Sequence, residues 1–365
     1  MFLQPTNLNA LTHALADAHA RGEKVTAIQL SALNRVLEYT PEDMTVTVEA
    51  GITLAALQSH LAAHGQWLPI DPPQPERANI GAILVTDASG PRRFGYGTIR
   101  EHLIGLRVAL ADGRLIKAGG KVVKNVAGYD LCKVFVGSHG SLGVIVEATF
   151  KLRPLPEAEQ FVEARCASLE RVGELIDSVL ASELNPMVMD LHNLSTNNSH
   201  LSTDSFLVLG FAGSREEVDW QLGRARELGI SEPSNLDYEI TFLADGTSPK
   251  ARSRRGNEAE ANRQDSPPPH VGGYDASRPR RLSVLPSKLT DALRELGEIQ
   301  FVARAGNGVI YFRGGPESAE RLSAPPSDGG EDQGEGAVRS AVQQLTHRLK
   351  NEFDPKHIFP ELPER

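Results

Sequence analysis

Residues 69–147 most restrict what this chain can fold into, because glycine and other small residues are so dense there that main chain must form much of the local surface. The stretch at 69–100, PIDPPQPERANIGAILVTDASGPRRFGYGTIR, crowds prolines and small residues into a run that reads as too irregular for helix or strand. Small residues at Gly81, Ala88, Ser89, Gly90, Gly95 and Gly97 let main-chain N–H groups approach an anionic or planar ligand. A tight structural loop would use the same residues, and composition alone favours that plainer reading. The stretch at 119–147, GGKVVKNVAGYDLCKVFVGSHGSLGVIVE, adds a glycine pair, a Gly-Tyr-Asp triplet and a GSxGxLGVI element. One glycine motif is weak, but several in order over about 80 residues seldom arise by chance.

The flanking sequence has an α/β rhythm. Residues 7–21 place Leu8, Leu11, Leu15 and Ala18 on one helical face and stop near Gly22. Residues 45–49 alternate as a strand, and a helix from Thr53 puts Leu54, Leu57 and Leu61 on one face before Gly65. Strands are expected at 106–110, 115–117 and 144–152, the first two joined as a hairpin through Ala111-Asp112-Gly113. Beyond the break at residues 153–156 the texture changes to short strands, as at 206–211, alternating with capped helices. One helix follows Ser214, with Glu217 completing a capping box, and stops at Gly229; another spans 287–297. Residues 246–281 and 314–336 are charged, polar and rich in proline or glycine, and are expected to be disordered insertions. A last helix is expected at 338–353.

Composition excludes several classes. At 365 residues, 40% of them hydrophobic, the chain suits two domains with a sizeable core. A net charge of −9 gives no footprint for nucleic acid or anionic lipid. Cys132 and Cys166 alone make neither a disulfide framework nor a zinc set, and point to a reducing, cytoplasmic setting. The N-terminus does not read as a signal peptide and no apolar run is long enough to span a membrane, so no direct membrane insertion is expected.

The order PxDPP, GPRRFGYGTIR, ADG, GGKVVKNVAGYD, GSHGSLGVI resembles the FAD-binding (PCMH-type) domain of the vanillyl-alcohol-oxidase family, most nearly the FAD-binding subunit of the glycolate oxidases. ALNRVLEYTPEDMTVTVEAGITLAALQ at 32–58 extends the likeness, which covers most of residues 30–156. RLSVLP, AGNGVIYF and LKNEFDPKHIF echo it in the C-terminal half. The resemblance implies an α+β fold: a two-subdomain FAD-binding domain at 1–153, an α+β cap or substrate domain at 154–336, and a C-terminal helix and tail at 337–365.

It also implies non-covalent FAD in an extended pose, with its ring system at the interface to the cap. Pro69 and Asp71 fall at the PxDP position, and Ala88, Ser89, Gly90, Gly95, Tyr96, Gly97 and Thr98 in the second phosphate and ring-contacting loop. Gly128, Tyr129 and Asp130 would line the flavin site, and Gly137, Ser138, Gly140, Gly143, Val144 and Ile145 would meet the adenosine half. None is a proton-transfer residue, since hydride chemistry belongs to the flavin. The implied activity is oxidation of glycolate or a related 2-hydroxy acid beside a second flavoprotein subunit and an iron–sulfur subunit. The alternative is a non-catalytic structural subunit of the same complex.

That alternative stands on a departure. The family's glycine-rich phosphate loop is missing, because Val25 leads directly to Thr26-Ala27-Ile28-Gln29-Leu30-Ser31. The family's spacing puts the loss at about twenty residues, and each lost charge-assisted bond is worth about 1.5–3 kcal/mol. Asp87 sets a carboxylate where the family prefers a small or amide side chain, repulsive if near a phosphate. Arg92 or Arg93 could neutralise the diphosphate, and Lys121 and Lys124 could favour a reduced flavin or attract an acid, although each also suits a solvated surface. His139 invites assignment as a base but more readily faces backbone packing. His192, His347 and His357 lack metal-ligand spacing and read as surface or packing residues, and Cys132 as a small buried hydrophobe.

Overall fold

The computed structural model describes residues 1–120, 131–194, 201–238, 242, 279–313 and 333–361, with backbone only at 201–203 and 333–342. Strand β1 (Phe2–Leu3) leads into helix α1 (Leu8–Arg21), which returns the chain to β2 (Ala27–Ile28), parallel to β1. Asn7 caps α1 by accepting the Ala10 N–H, and Gly22 ends it at φ 66°, the left-handed turn that glycine adopts without strain. Leu11 and Leu15 are fully buried, each worth about 1.5–3 kcal/mol of transfer free energy.

Next come β3 (Val36–Thr40), β4 (Thr45–Glu49), α2 (Leu54–Ala62) and β5 (Gln66–Trp67). The proline-rich run then departs from expectation, because it contains helices: α3 (Ile80–Thr86), α4 (Arg93–Tyr96) and α5 (Ile99–His102). Asn79 caps α3 through the Ala82 N–H, Asp87 closes it at φ 51°, and Ile80, Ile83 and Leu84 are buried. The Asn cap and the i, i+3, i+4 apolar spacing outweigh the nearby prolines. Strands β6 (Leu103–Ala109) and β7 (Leu115–Gly119) form the expected hairpin, with β7 two residues longer than foreseen. After α6 (Cys132–Phe135), β8 (Val144–Lys151) completes a five-stranded antiparallel sheet of order β3-β4-β8-β6-β7. Short β9 (Arg153–Pro154) pairs with β5.

The second half builds a seven-stranded antiparallel sheet. Its elements are β10 (Ala158–Cys166), α7 (Leu169–Ala181), β11 (Val188–Leu194), β12 (Leu201–Gly213), α8 (Arg215–Glu227), β13 (Glu232–Pro233), β14 (Arg280–Ser283), α9 (Leu289–Leu296), β15 (Gln300–Arg304) and β16 (Val309–Arg313), in sheet order β13-β10-β12-β11-β15-β16-β14. Ser214 and Glu217 form the expected capping box of α8. One face buries Leu191, Leu207, Leu209, Phe301 and Ala303 against α7, α8 and α9. The other face carries Glu159 and Phe161 beside Arg92 at one end and packs Val208 and Val302 against Tyr238 and Phe242.

Helix α10 (Gln333–Phe353) runs back to the first core, where Ile358 and Phe359 are buried. Two parts of the expected insertions are therefore ordered. Arg280 and Arg281 pair with Phe312 and Tyr311 in the sheet, and α10 begins at Gln333, ahead of the expected 338. Ladder pairing and helix continuity hold these polar residues where their own composition would not. Residues 243–278 and 314–332 lie outside the described residues.

Candidate functional site

A groove of about 250 Å³ opens beside the five-stranded sheet. Residues 25–28 and 30 form one wall, Asn79 with Gly81, Ala82 and Val85 of α3 another, and His139, Gly140 and Gly143 to Ile145 a third, with Phe359 and Pro360 closing an end. Gly140, at φ 74°, has no atom within 4 Å of the place a Cβ would occupy, so its edge of the groove is bare backbone. At Gly143 a Cβ would meet Val108 Cγ1 at 2.7 Å, so that glycine serves the packing of the loop on the sheet. His139, at φ 51°, lines the groove while its N–H donates to the Val85 carbonyl at 2.8 Å. Gly137 and Ser138 are tied by backbone bonds to Leu84 and Phe135, and neither lines the groove.

Lys350 ties two of these walls together. Its ammonium, with the side chain only 3% exposed, donates to Ser141 O at 2.9 Å, Pro360 O at 2.8 Å, Phe359 O at 3.2 Å and Asp354 Oδ2 at 2.7 Å. Asp354 also accepts the Ile358 and Phe359 N–H groups, each at 2.9 Å. The tail then reaches the other wall, where the Val25 N–H donates to Ile358 O at 2.7 Å and Lys24 Nζ to His357 O at 2.6 Å. Nothing local in LKNEFDPKHIF announces this role, since Ser141 lies 209 residues earlier.

The loop at 88–98 faces the second sheet instead of the groove. Arg92, expected as a partner for diphosphate, is held by Asp71 at 3.1 Å and by Glu159 of β10 at 2.6 Å. Two carboxylates already claim its guanidinium, which corrects the expectation. Burial pushes the Asp71 carboxyl up from its usual range, against the pull of Arg92. Gly90 stands where a Cβ would meet the Asp71 carbonyl at 2.0 Å, and Gly95 where it would meet Met187 Cα at 2.5 Å, its own N–H donating to Met187 O at 3.0 Å. Gly97, at φ 82°, abuts the Glu101 carboxylate.

Tyr96 packs edge-on to Trp67, and its carbonyl receives a bond from His102 Nε2 at 2.9 Å. Pro69 is buried, the Ala88 N–H donates to Ile83 O, Ser89 Oγ to Asp87 O, and Thr98 precedes α5. Gly128, Tyr129 and Asp130, with Lys121 and Lys124, lie outside the described residues.

The inner face of the seven-stranded sheet carries ionisable groups that the motif reading missed. Asp190 of β11 sits opposite Arg304 of β15 and pairs with it, while its Oδ2 also accepts the Tyr238 hydroxyl at 2.9 Å. Burial pushes the Asp190 carboxyl up, while Arg304 and the hydroxyl both favour its charged form. His192, two residues on, is sandwiched between Tyr238 and Phe206 at centroid distances of 4.4 and 5.3 Å. Burial lowers its pKa to about 4, so the ring is neutral near pH 7. The alternation Met189, Asp190, Leu191, His192 was the available signal, since period two sends both polar residues to one face.

Residues 3–119 match the family described as the FAD binding domain. The chain is also 34% identical over 158 residues to glycolate oxidase subunit GlcD of Bacillus subtilis, covering 43% of this chain and 34% of that protein. Glycolate oxidase subunit GlcE of Escherichia coli is 34% identical over 143 residues, 39% of this chain and 41% of that one. A probable mitochondrial D-lactate dehydrogenase of Danio rerio is 34% identical over 213 residues, 54% of this chain and 42% of that one. The chain thus spans less than half the length of these relatives. A solved alkyldihydroxyacetonephosphate synthase superposes with a TM-score of 0.66 at 15% identity, over 98% of this chain and 76% of that one, a likeness of fold.

The matched segment contributes two walls of a groove whose residues fit part of an FAD molecule. Gly140 supplies backbone that a planar or anionic group can approach, and Val25, Ile28, Leu30 and Val85 supply apolar wall. Its third wall and its closing tail come from residues beyond the matched segment. Among the described residues no group of three or more His, Cys, Asp or Glu could hold a metal, and no helix is long and apolar enough to cross a membrane.

Proposed function

We propose that the chain is the FAD-binding subunit of an oxidoreductase acting on glycolate or a related 2-hydroxy acid. The observation that carries this reading is the groove with main chain bare at Gly140, built onto a segment that matches the FAD binding domain. When bound, FAD supplies the hydride acceptor. In this reading Gly140, Gly143, Val144 and Ile145 hold the adenosine half, and Lys350 fixes the tail that closes the groove. Asp71, Arg92 and Glu159 hold the 88–98 loop against the second sheet. With two cysteines the chain is too poor in thiolates for an iron–sulfur cluster, so electrons pass to a second flavoprotein subunit and an iron–sulfur subunit.

A second reading, a structural subunit that no longer takes up the cofactor, is favoured by two observations. At about 250 Å³ the groove is smaller than ordinary ligand sites of about 300–1,000 Å³, and Val25 runs straight into β2 without a phosphate-binding loop. Purification of the full chain followed by FAD titration separates the two. Visible flavin absorption and a rise in unfolding temperature with FAD support the first reading, whereas a colourless protein with no shift supports the second.

A further inference from the structure

The inner face of the seven-stranded sheet holds an arrangement that the groove does not use. Asp190 and His192 are two residues apart on β11, so their side chains leave the strand on one face, with Cα atoms about 6.5 Å apart. They are 1% and 6% exposed, and each keeps one polar atom without a partner among the described residues, Asp190 Oδ1 and His192 Nε2. The two atoms are opposite in kind. A bulge follows His192, and the Leu194 N–H donates to its Nδ1 at 3.3 Å, so the neutral ring carries its hydrogen on Nε2, a donor. Asp190 commits Oδ2 to Tyr238 and Arg304, which leaves Oδ1 as an acceptor.

Both are held still. The imidazole lies between two aromatic rings at interplanar angles of 18° and 19°, and the carboxylate is fixed by two donors. A buried donor and a buried acceptor left unused are costly, and folds retain them where another molecule completes the bonds. Their position suits such a molecule. Met187, three residues before Asp190, receives the Gly95 N–H of the 88–98 loop, and the charge of Arg304 is felt at Asp71.

We infer that Asp190 and His192 form a binding site for a small 2-hydroxy acid, whose hydroxyl donates to Asp190 Oδ1 and whose carboxylate accepts from His192 Nε2–H. Arg304 offsets the repulsion between Asp190 and the ligand's charge. The choice of ligand rests on the function proposed above; the donor and acceptor pattern does not.

The test titrates the full chain, with and without FAD, using glycolate and D-lactate as probes and acetate as the acid lacking the hydroxyl, read by thermal unfolding and intrinsic fluorescence. At least one hydroxy acid is expected to bind tenfold or more tightly than acetate. His192→Phe, which keeps the ring stack, and Asp190→Asn, which keeps the carboxyl shape, are each expected to weaken it tenfold or more while the FAD-induced shift is unchanged. Equal responses to hydroxy acid and acetate, or binding untouched by His192→Phe, overturn the assignment. So does a gain in stability from either substitution with no response to any acid, the sign of trapped water. Hydroxy-acid binding without FAD binding upholds this site and removes the cofactor reading, and FAD binding without hydroxy-acid binding does the reverse.

Discussion

The glycine groove and the inner face of the seven-stranded sheet present opposite surfaces. The groove exposes main chain at Gly140 and is held in shape from behind by one ammonium, that of Lys350. The sheet face exposes almost no main chain and is made of Asp190, His192, Tyr238 and Arg304, joined across strands. A backbone surface is sensitive to added atoms and to whatever props the loop, whereas a side-chain surface is sensitive to charge and protonation. Each of the following experiments presses on one side of that contrast.

The largest effect is expected from Lys350→Met. Asp354 is then a fully buried carboxylate without its cation and three carbonyls lose a donor, a loss of about 3–5 kcal/mol in urea unfolding. FAD affinity is expected to fall with it, whereas Lys350→Arg should recover part of both. A stable Lys350→Met protein with unchanged FAD binding would separate the tail from the groove.

Next is the pH response of the sheet face. His192 has a folded pKa of about 4 against 6.5 for an ordinary histidine, so between these values the unfolded chain binds more protons. Its stabilising share is whole above pH 6.5 and is lost as pH falls toward 4, amounting to about 3 kcal/mol. Burial lowers the His102 pKa as well, so part of the slope persists in His192→Phe. Denaturation midpoints across that range should be flatter in the variant, and identical slopes would contradict the buried neutral ring.

A smaller change follows from Gly140→Ala. No atom opposes the new methyl, but φ of 74° carries a left-handed penalty of about 1–2 kcal/mol. Gly140 also lines the groove, so FAD titration should register a loss beyond the stability change. Ser214→Ala, which breaks the α8 capping box far from either surface, should cost about 1 kcal/mol in thermal unfolding and leave FAD binding unmoved.

What the sequence disclosed follows the range of the interactions. Helix α1 with its Gly22 stop, the hairpin through Asp112-Gly113 and the Ser214 cap are each settled within a few residues, and each was readable. Helix α3 was masked by neighbouring prolines although Asn79 and Ile80, Ile83 and Leu84 carried its signal. Of the glycine positions, Gly140 and Gly143 line the groove, whereas Gly90 and Gly95 are small because Asp71 and Met187 press on them. Sequence shows that a residue must be small but not which neighbour requires it. The sheet-face cluster was least legible, since Tyr238 and Arg304 reach Asp190 from 48 and 114 residues away.

The bond from Lys350 to Ser141 also sets an order of events during synthesis. The glycine run leaves the ribosome 209 residues before the lysine that braces it, a delay of roughly 10–40 s at ordinary elongation rates. Through that interval the nascent chain can pair its early strands but has no finished end wall, so cofactor capture belongs to the closing moments of translation or later.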